Sequence, residues 1–196
     1  MRIIDLKAEA EADAEAHITQ CATLLHESFR DRAAAWPDLA SAREEVIGSL
    51  EPGKISRVAL DDSGIVIGWV GGQPQYDGVV WELHPLVVAA NARRCGIGRA
   101  LVQDLEALVA ARGALTLWLG SDDEIGETSL GGVDLYDDLP LRLAGFRAGG
   151  EHPFPFYQRL GFRLVGVMPD ANGPGKPDIF LAKRIGNGGT TPRSAP

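Results

Sequence analysis

The sequence predicts an α/β domain in which helices flank a twisted, mixed β-sheet. Three observations lead to this fold class. The 196 residues are 45% apolar and 23% charged, which suits one globular domain with a core of its own. Segments with the two-residue period of strands alternate along the chain with segments of helical period. Glycine and proline stand mainly between these segments, where turns are expected.

The N-terminal half is predicted to contain a strand, two helices, a hairpin and a longer strand. Residues 2–6 alternate weakly and form the first strand. Residues 17–29 place apolar side chains at helical spacing, and a second helix begins at Asp38 or Ser41 and ends near Leu50. Residues 56–60 and 65–71 form the hairpin, and residues 79–88 form a strand that Pro85 interrupts.

A helix, a strand, a short helix and two closing strands are predicted to follow. The helix over residues 99–112 has the clearest apolar stripe, and Gly113 supplies its C-terminal cap. The later segments are residues 114–119, 155–160, 162–168 and 178–183. We expect a single domain over residues 1–185, with an acidic insertion at 121–150 and a disordered tail at 186–196.

The acidic residues are concentrated in one part of the chain. The net charge is −8, and residues 121–141 alone carry −7, because they contain seven Asp and Glu and no Lys or Arg. Such a run is either a solvated loop or a surface that attracts a cationic partner. A net acidic chain also argues against nucleic acid as the main partner, since phosphate binding needs a basic face.

Apolar runs and cysteines bear on where the protein acts. No apolar run approaches the roughly 18 residues of a membrane span, and the N-terminus lacks the long apolar stretch of a secretory signal. Cys21 and Cys95 stand in no metal-binding spacing and indicate a reducing compartment. We therefore expect a cytoplasmic protein with no metal site and no membrane partner.

A glycine-rich turn with three arginines precedes the strongest predicted helix. Its glycines allow a tight turn whose N–H groups approach an anion, and the helix N-terminus adds partial positive charge. Leu101 stands where a dinucleotide-binding fingerprint needs its third glycine, and the chain has no Gly-Lys of a Walker loop. A pyrophosphate is the expected ligand, and a plain turn with solvated arginines is the alternative.

The pattern Arg93-x-x-Gly96-x-Gly98 resembles the pyrophosphate loop of the GNAT superfamily of acetyl-coenzyme A dependent N-acetyltransferases. The preceding strand resembles the one that hydrogen-bonds the pantetheine arm, and Pro85 fits the bulge at which two central parallel strands splay apart in that fold. Ala90 departs from the family, which often has proline there. The resemblance implies a GNAT fold with acetyl-coenzyme A in the splay. The cofactor-binding residues that it implies are Leu86, Val87, Val88, Arg93, Arg94, Cys95, Gly96, Ile97, Gly98, Arg99 and Ala100.

The segment Phe156-Tyr157-x-x-x-Gly161-Phe162 is a second feature shared with that superfamily. By this resemblance Tyr157 protonates the departing thiolate of coenzyme A, a role suited to a phenol held near sulfur. A core tyrosine is the alternative. A backbone N–H near Val87 would stabilise the oxyanion. Direct transfer is expected rather than an acetyl-enzyme at Cys95, which stands among the phosphate-binding residues.

Carboxylates near the expected thioester site indicate a cationic acceptor. Glu82 and His84 are two residues apart on one strand and share a face, so Glu82 is a base, an amine anchor or a structural hydrogen-bonding group. His84, beside Pro85, is expected to be structural. Asp122 and Asp123 would overhang the acetyl group and attract a polyamine. Most carboxylates would hold ammonium groups, while Glu82 or Asp122 takes the proton.

Several stretches also resemble the aminoglycoside 6'-N-acetyltransferases. They are residues 35–37 with 44–46, 81–88, 121–124 with 128–130, 152–153, and 171–173 with 176–179. The resemblance implies acetyl transfer to the 6'-amine of an aminoglycoside, which confers antibiotic resistance, and a homodimer is common among such enzymes. The alternatives are a GNAT enzyme for another amine, such as a polyamine or a protein N-terminus, and a non-catalytic module that binds acetyl-coenzyme A or a cationic drug.

The same resemblance assigns the contacts to the acceptor. Trp36 would stack on a sugar ring. The residues implied to contact amino groups are Glu82, Asp122, Asp123, Glu124 and Asp178. Asp178 follows Pro177 at the start of a strand, so a turn or cap role has equal support.

Overall fold

The computed structural model describes residues 1–8, 11–30 and 35–186. The strands in this part of the chain are β1 Arg2–Asp5, β2 Ile55–Leu60, β3 Val66–Gln75, β4 Val80–Val88, β5 Thr116–Asp122, β6 Arg163–Met168 and β7 Asp178–Arg184. The helices are α1 Glu11–Phe29, α2 Leu39–Gly48, α3 Ile97–Ala111, α4 Leu139–Ala144 and α5 Phe154–Arg159.

The seven strands form one sheet in the order β1-β2-β3-β4-β5-β7-β6. β4 and β5 run parallel, and every other neighbouring pair is antiparallel. Helix α3 joins the two parallel strands, as a crossover connection requires. The predicted mixed sheet flanked by helices is confirmed.

A bulge interrupts β4 at His84 and Pro85. On β3, Gly72 pairs with Leu83 and Val70 pairs with Leu86, so two residues of β4 stand opposite one residue of β3. An extra residue reverses the face to which the later side chains point. The bulge that Pro85 predicts is therefore present.

The reversal is visible in the two cores that cover the faces of the sheet. Before the bulge, Trp81 and Leu83 pack in the cluster that contains the buried stripe of α3. After it, Val87 packs in the other cluster, with residues of α1 and α2. Glu82 and His84 therefore lie on the α1 and α2 side, which we call the acceptor face.

The predicted elements and the observed ones differ mainly at their ends. α1 begins at Glu11 rather than His17, because an alanine-rich, acidic first turn is helical without adding to the apolar stripe. α3 begins at Ile97, two residues before the predicted start. β3 extends to Gln75, where it pairs with β4. The segment predicted to be a disordered tail lies outside the described residues from residue 187 onward.

The acidic insertion is attached to the domain at several points. Asp123 N–H donates to the carbonyl of Pro177 at 2.9 Å, and a single bridge joins Thr128 to Ala148. Leu130 and Leu135 are buried in the cluster around α3. The insertion also contains α4, which the sequence analysis did not predict. Among the described residues, no helix combines the length and the apolar character needed to cross a membrane.

Candidate active site

The parallel strands separate after three paired residues. Val80, Trp81 and Glu82 pair with Thr116, Leu117 and Trp118, and this is the full extent of their register. β5 continues beside β7 as far as the pair of Asp122 and Asp178. We call the opening between residues 83–88 of β4 and residues 119–122 of β5 the splay. A strand edge released in this way can hydrogen-bond an extended ligand.

The glycine-rich turn connects the end of β4 to α3. Gly96 has a φ of 85°, in the left-handed region, and α3 begins directly after it with no acidic residue in its first turn. Arg93, Arg94 and Arg99 are exposed. Arg93 Nε donates to the carbonyl of Val88 at 3.1 Å, which ties the turn to the end of β4. Unpaired N–H groups, the positive helix end and three guanidinium groups suit a pyrophosphate.

α5 places Tyr157 in the core beside the start of α3. The side chain is 7% exposed and packs against Phe156 and Phe162, with ring centroids at 5.0 and 5.6 Å. Phe156 lies against Gly98, since a Cβ there would be 3.3 Å from Phe156 Cζ. Burial raises the pKa of the Tyr157 phenol, because the phenolate is costly to form away from water. A buried phenol close to the turn can donate a proton to a leaving group.

Two glutamine amides hold Glu82 on the acceptor face. Gln73 Nε2 and Gln75 Nε2 donate to Glu82 Oε2 at 3.0 and 2.7 Å. Trp118 Nε1 in turn donates to Gln75 Oε1 at 3.1 Å. These hydrogen bonds fix the Glu82 carboxylate at the last residue of β4 that pairs with β5 before the splay.

Asp122 is the last residue of β5, and it pairs with Asp178, the first residue of β7. Asp122 is exposed, and its Oδ1 accepts a hydrogen bond from Asn172 Nδ2. Asp178 leans over Gly120, because a Cβ at residue 120 would lie 2.5 Å from Asp178 Oδ2. Burial is the main reason that the pKa of Asp178 is raised to about 7, and the charges of Asp122 and Glu82 raise it as well. Hydrogen bonds from the N–H groups of Ser121 and Ile179 lower it in part. The three carboxylates therefore share one electrostatic environment.

Asp123 does not face this site, which corrects its prediction as an acceptor contact. It is 1% exposed, and its oxygens accept hydrogen bonds from Glu127 N–H, Thr128 N–H and Thr128 Oγ1 at 2.7, 2.8 and 2.6 Å. Burial alone would raise its pKa, but these donors hold the pKa below its ordinary value. Successive residues of a strand point to opposite faces, so Asp122 and Asp123 diverge. Glu124 follows in the insertion and is partly exposed.

Trp36, which was predicted to stack on a sugar ring, packs mostly in the core between α1 and the sheet. It is 9% exposed, and its ring lies 4.9 Å from the Phe29 ring and 5.8 Å from the His84 ring. His26 Nδ1 lies 3.1 Å from the Trp36 carbonyl oxygen. Trp36 also lines the open depression beside α2, so its contact with a sugar ring stays a prediction.

An open depression of about 500 Å³ adjoins the acceptor face beside α2. Its lining residues combine carboxylate, amide, ring and ammonium groups: Ala35, Trp36, Ser41, Glu44, Glu45, Gly48, Lys54, Gln73 and His84. His84 Nε2 lies 3.8 Å from Glu45 Oε1, which fits the predicted structural role of His84. Gln73 lines the depression and also binds Glu82, so the two regions are continuous.

Gln73, Gln75, Gly120 and Asn172 shape the site but were not identified from the sequence. The two glutamines are two residues apart on β3, and this polar alternation in an otherwise buried strand is a signal that could have found them. Gly120 and Asn172 act on carboxylates distant in sequence, which local patterns do not reveal. Within the described ranges, no three His, Cys, Asp or Glu side chains converge as metal ligands would.

A mixed sheet with splayed central strands and a glycine- and arginine-rich turn before the crossover helix is typical of the class of GNAT acetyltransferases. The profile of the acetyltransferase (GNAT) family matches residues 18–136, which is more than half of the chain. The chain therefore belongs to the GNAT acetyltransferase family, as its sequence motifs indicated. Among curated proteins, no sequence matches it significantly.

Crystal structures of aminoglycoside 6'-N-acetyltransferases are similar to this chain over nearly its whole length. One, complexed with coenzyme A, has 37% identity and a TM-score of 0.83, over 94% of this chain and 97% of the other. The enzyme from Enterococcus faecium has 38% identity, a TM-score of 0.82 and the same coverage. An aminoglycoside 6'-acetyltransferase type Ii has 34% identity, a TM-score of 0.69 and again the same coverage.

Proposed function

We propose that the protein transfers the acetyl group of acetyl-coenzyme A to the 6'-amine of aminoglycosides. The observation that carries this proposal is that Glu82, Asp122 and Asp178 lie on the one face of the sheet that borders the splay, where the charges of the first two act on the third. A polycationic acceptor suits three neighbouring carboxylates, and the similarity to aminoglycoside 6'-N-acetyltransferases supports the same acceptor.

Acetyl-coenzyme A fits the residues beside the splay. The turn at residues 93–100 would hold the pyrophosphate, and the released edge of β4 at Leu86, Val87 and Val88 would hydrogen-bond the pantetheine arm. When bound, acetyl-coenzyme A supplies an activated acyl group as a thioester. A backbone N–H near Val87 would stabilise negative charge on the carbonyl oxygen.

The acceptor would approach from the acceptor face. Glu82 and Asp122 hold its ammonium groups, with Glu124 at the rim, and one carboxylate of the cluster takes the proton that the reacting nitrogen must lose. Tyr157 gives its proton to the departing sulfur. Because Cys95 lies in the phosphate-binding turn, transfer occurs directly from the thioester to the amine, without an acetyl-enzyme.

Several properties of the whole protein belong to this proposal. An enzyme that inactivates aminoglycosides would act in the cytoplasm, where acetyl-coenzyme A is made, and would confer antibiotic resistance. We extend the proposal to a homodimer and to a single domain over residues 1–185. Size-exclusion chromatography with light scattering tests the dimer, and a resistance assay in cells that express the protein tests the physiological role.

A thiol-release assay with acetyl-coenzyme A tests the proposed reaction. The acceptors are kanamycin and tobramycin, spermidine and a peptide with a free N-terminus, and mass spectrometry with fragmentation locates the added acetyl group. Acetylated kanamycin modified at the 6'-nitrogen supports the proposal. Turnover of spermidine alone would assign the protein to another amine, and acetyl-coenzyme A binding without turnover of any acceptor would contradict it.

Tyr157→Phe tests the proposed acid. Removing the hydroxyl while keeping the ring preserves the packing against Phe156 and Phe162, so we expect kcat to fall about 100-fold with little change in the KM values. An unchanged kcat would remove Tyr157 from the mechanism. Phe156→Leu, which alters the neighbouring ring and no hydroxyl, is the packing control.

A further inference from the structure

The three carboxylates of the acceptor face have different hydrogen-bond partners. Two amides donate to Glu82, and one amide donates to Asp122. Asp178 Oδ1 is buried and has no hydrogen-bond partner among the described residues. An enclosed oxygen without a donor makes a carboxylate anion costly, and the backbone N–H groups of Ser121 and Ile179 offset this cost only in part. Asp178 therefore differs from the other two carboxyl groups in having a buried oxygen that no donor satisfies.

Asp178 is also the group that leans along the wall of the splay. Its carboxylate occupies the space that a side chain at residue 120 would fill, with Oδ2 2.5 Å and Oδ1 2.8 Å from that Cβ position. Gly120 lies two residues beyond Trp118, the last residue of β5 that pairs with β4. The Asp178 carboxylate thus faces the region where β5 has left β4 and the thioester is expected.

The groups around Asp178 favour the exchange of a proton by its carboxyl group near neutral pH. Asp122 faces it across the β5–β7 register, Glu82 acts on it from β4, and Met168, its partner on β6, carries no charge. Burial and the two anions raise its pKa to about 7. A base with a pKa near the working pH transfers protons most effectively.

We propose that Asp178 is the base that takes the proton from the reacting ammonium group, while Glu82 and Asp122 hold the acceptor. This assignment rests on the proposed function and narrows it, since it separates the base from the anchors. Oδ1 is enclosed, so Oδ2 is the oxygen that receives the proton, directly or through one water molecule.

The proton balance of the reaction follows from this assignment. The ammonium nitrogen gives one proton to Asp178, and its freed electron pair forms the C–N bond with the thioester carbon. When the C–S bond breaks, sulfur takes the proton of Tyr157, and the second proton of the nitrogen returns to Tyr157 through water. Asp178 then releases its proton to solvent, so each transfer yields one amide, one thiol and one proton.

Asp178→Asn is the direct test, measured as kcat/KM for the acceptor over a range of pH. We expect a loss of about 100-fold near neutral pH that shrinks as the pH rises toward the pKa of the amine, because free amine no longer needs a base. Glu82→Gln and Asp122→Asn should mainly raise KM for the acceptor. Asp137→Asn removes the same charge from an exposed residue of the insertion and is the matched control.

Two further measurements keep the test decisive if Asp178→Asn also alters the fold. In Asp178→Ala, added formate or acetate should restore part of the activity, as a small base can replace the missing carboxylate. Gly120→Ala should push the retained Asp178 out of position and reproduce the same pH-dependent loss. Acetyl-coenzyme A affinity, measured by calorimetry, should stay within about twofold in each variant. A loss in Asp178→Asn that is equal at every pH, or confined to KM, would overturn the proposal.

An acceptor-independent measurement separates this proposal from the proposed function. Infrared difference spectra of the free protein between acid and alkaline pH should contain the band of a protonated carboxyl group that disappears near neutral pH in the wild type and is absent from Asp178→Asn. If that band remains in Asp178→Asn, Asp178 does not carry the proton and the proposal fails. If the band behaves as expected but no aminoglycoside is acetylated, the choice of acceptor fails instead.

Discussion

Asp123 organises the first turn of the acidic insertion, although it belongs to the same run of acids as Asp122. Its carboxylate accepts three hydrogen bonds from residues four and five positions ahead and is almost fully buried. A charged acceptor that satisfies several backbone donors stabilises a loop more than a surface ion pair does. Two adjacent aspartates thus have separate roles, one in the fold and one at the site.

Asp123→Ala should lower the free energy of unfolding by about 2–4 kcal/mol, because it leaves buried donors without an acceptor. The pKa of Asp123 is lowered in the folded protein, so its contribution is complete above the ordinary aspartate pKa and is lost as the pH falls through the lowered value. Urea unfolding at neutral and acid pH measures both effects. Asp137→Ala is the control, and an equal change in that variant would contradict the prediction.

Asp178→Asn should instead raise the free energy of unfolding at alkaline pH. The folded pKa of Asp178 is about 7 against an ordinary value of 3.8, so between these values the folded protein binds more protons than the unfolded chain and loses stability as the pH rises. Removing the charge should stabilise the protein by about 1–2 kcal/mol near pH 8, a value reduced for partial solvent screening. The difference in Tm should vanish near pH 4. A Tm below that of the wild type at pH 8 would contradict this account.

At the scale of elements, the turn between β4 and α3 combines a positive φ at Gly96 with a helix N-terminus. The bulge at Pro85 and the splay lie upstream in the same strand, so one stretch of chain forms both the opening and the proposed anion site. The bulge, the turn and the start of α3 could be predicted from sequence motifs, because the conformations that glycine, proline and a helix N-terminus require involve only a few neighbouring residues.

Gly96→Ala should raise KM for acetyl-coenzyme A severalfold and leave KM for the acceptor unchanged. An added Cβ meets no atom within 4 Å, so its effect comes from a φ of 85°, at a cost of about 1 kcal/mol. Gly113→Ala is a matched control, since Gly113 has a φ of 84° beyond the other end of α3 and an equally open surrounding. The two variants should lose similar stability, and only Gly96→Ala should change KM. Equal KM values would show that the turn does not bind the donor.

At the scale of the whole molecule, a net charge of −8 is distributed so that the insertion carries most of it. Many of these acids are exposed and lie away from the sheet face; they include Asp134, Asp137 and Asp138. Their long-range field can attract a polycation, whereas Asp122 ends β5 opposite Asp178, beside the splay. Long-range attraction and specific binding are therefore separable by experiment.

The KM for a polycationic acceptor should rise with salt concentration and should do so more steeply than the KM for an acceptor with one ammonium group, because salt screens exposed charges. Asp122→Asn should raise the KM at every ionic strength. Asp137→Asn changes the net charge equally and should have little effect. Equal effects of the two substitutions would mean that net charge, rather than a contact at Asp122, governs binding.

The fold class, the order of the predicted strands and helices, the β4 bulge and the glycine-rich turn could all be predicted from the sequence, because each depends on the conformational limits of neighbouring residues. The sequence also indicated that carboxylates gather near the site. Which side chains share a face could be read from the tertiary structure and not from the sequence. Asp123 points into the insertion, Asp178 lies over Gly120, and Trp36 packs in the core. These outcomes depend on strand register and on packing between residues far apart in the chain. The charge of each acid was readable from the sequence, whereas its proton affinity depends on burial and partners that folding alone brings together.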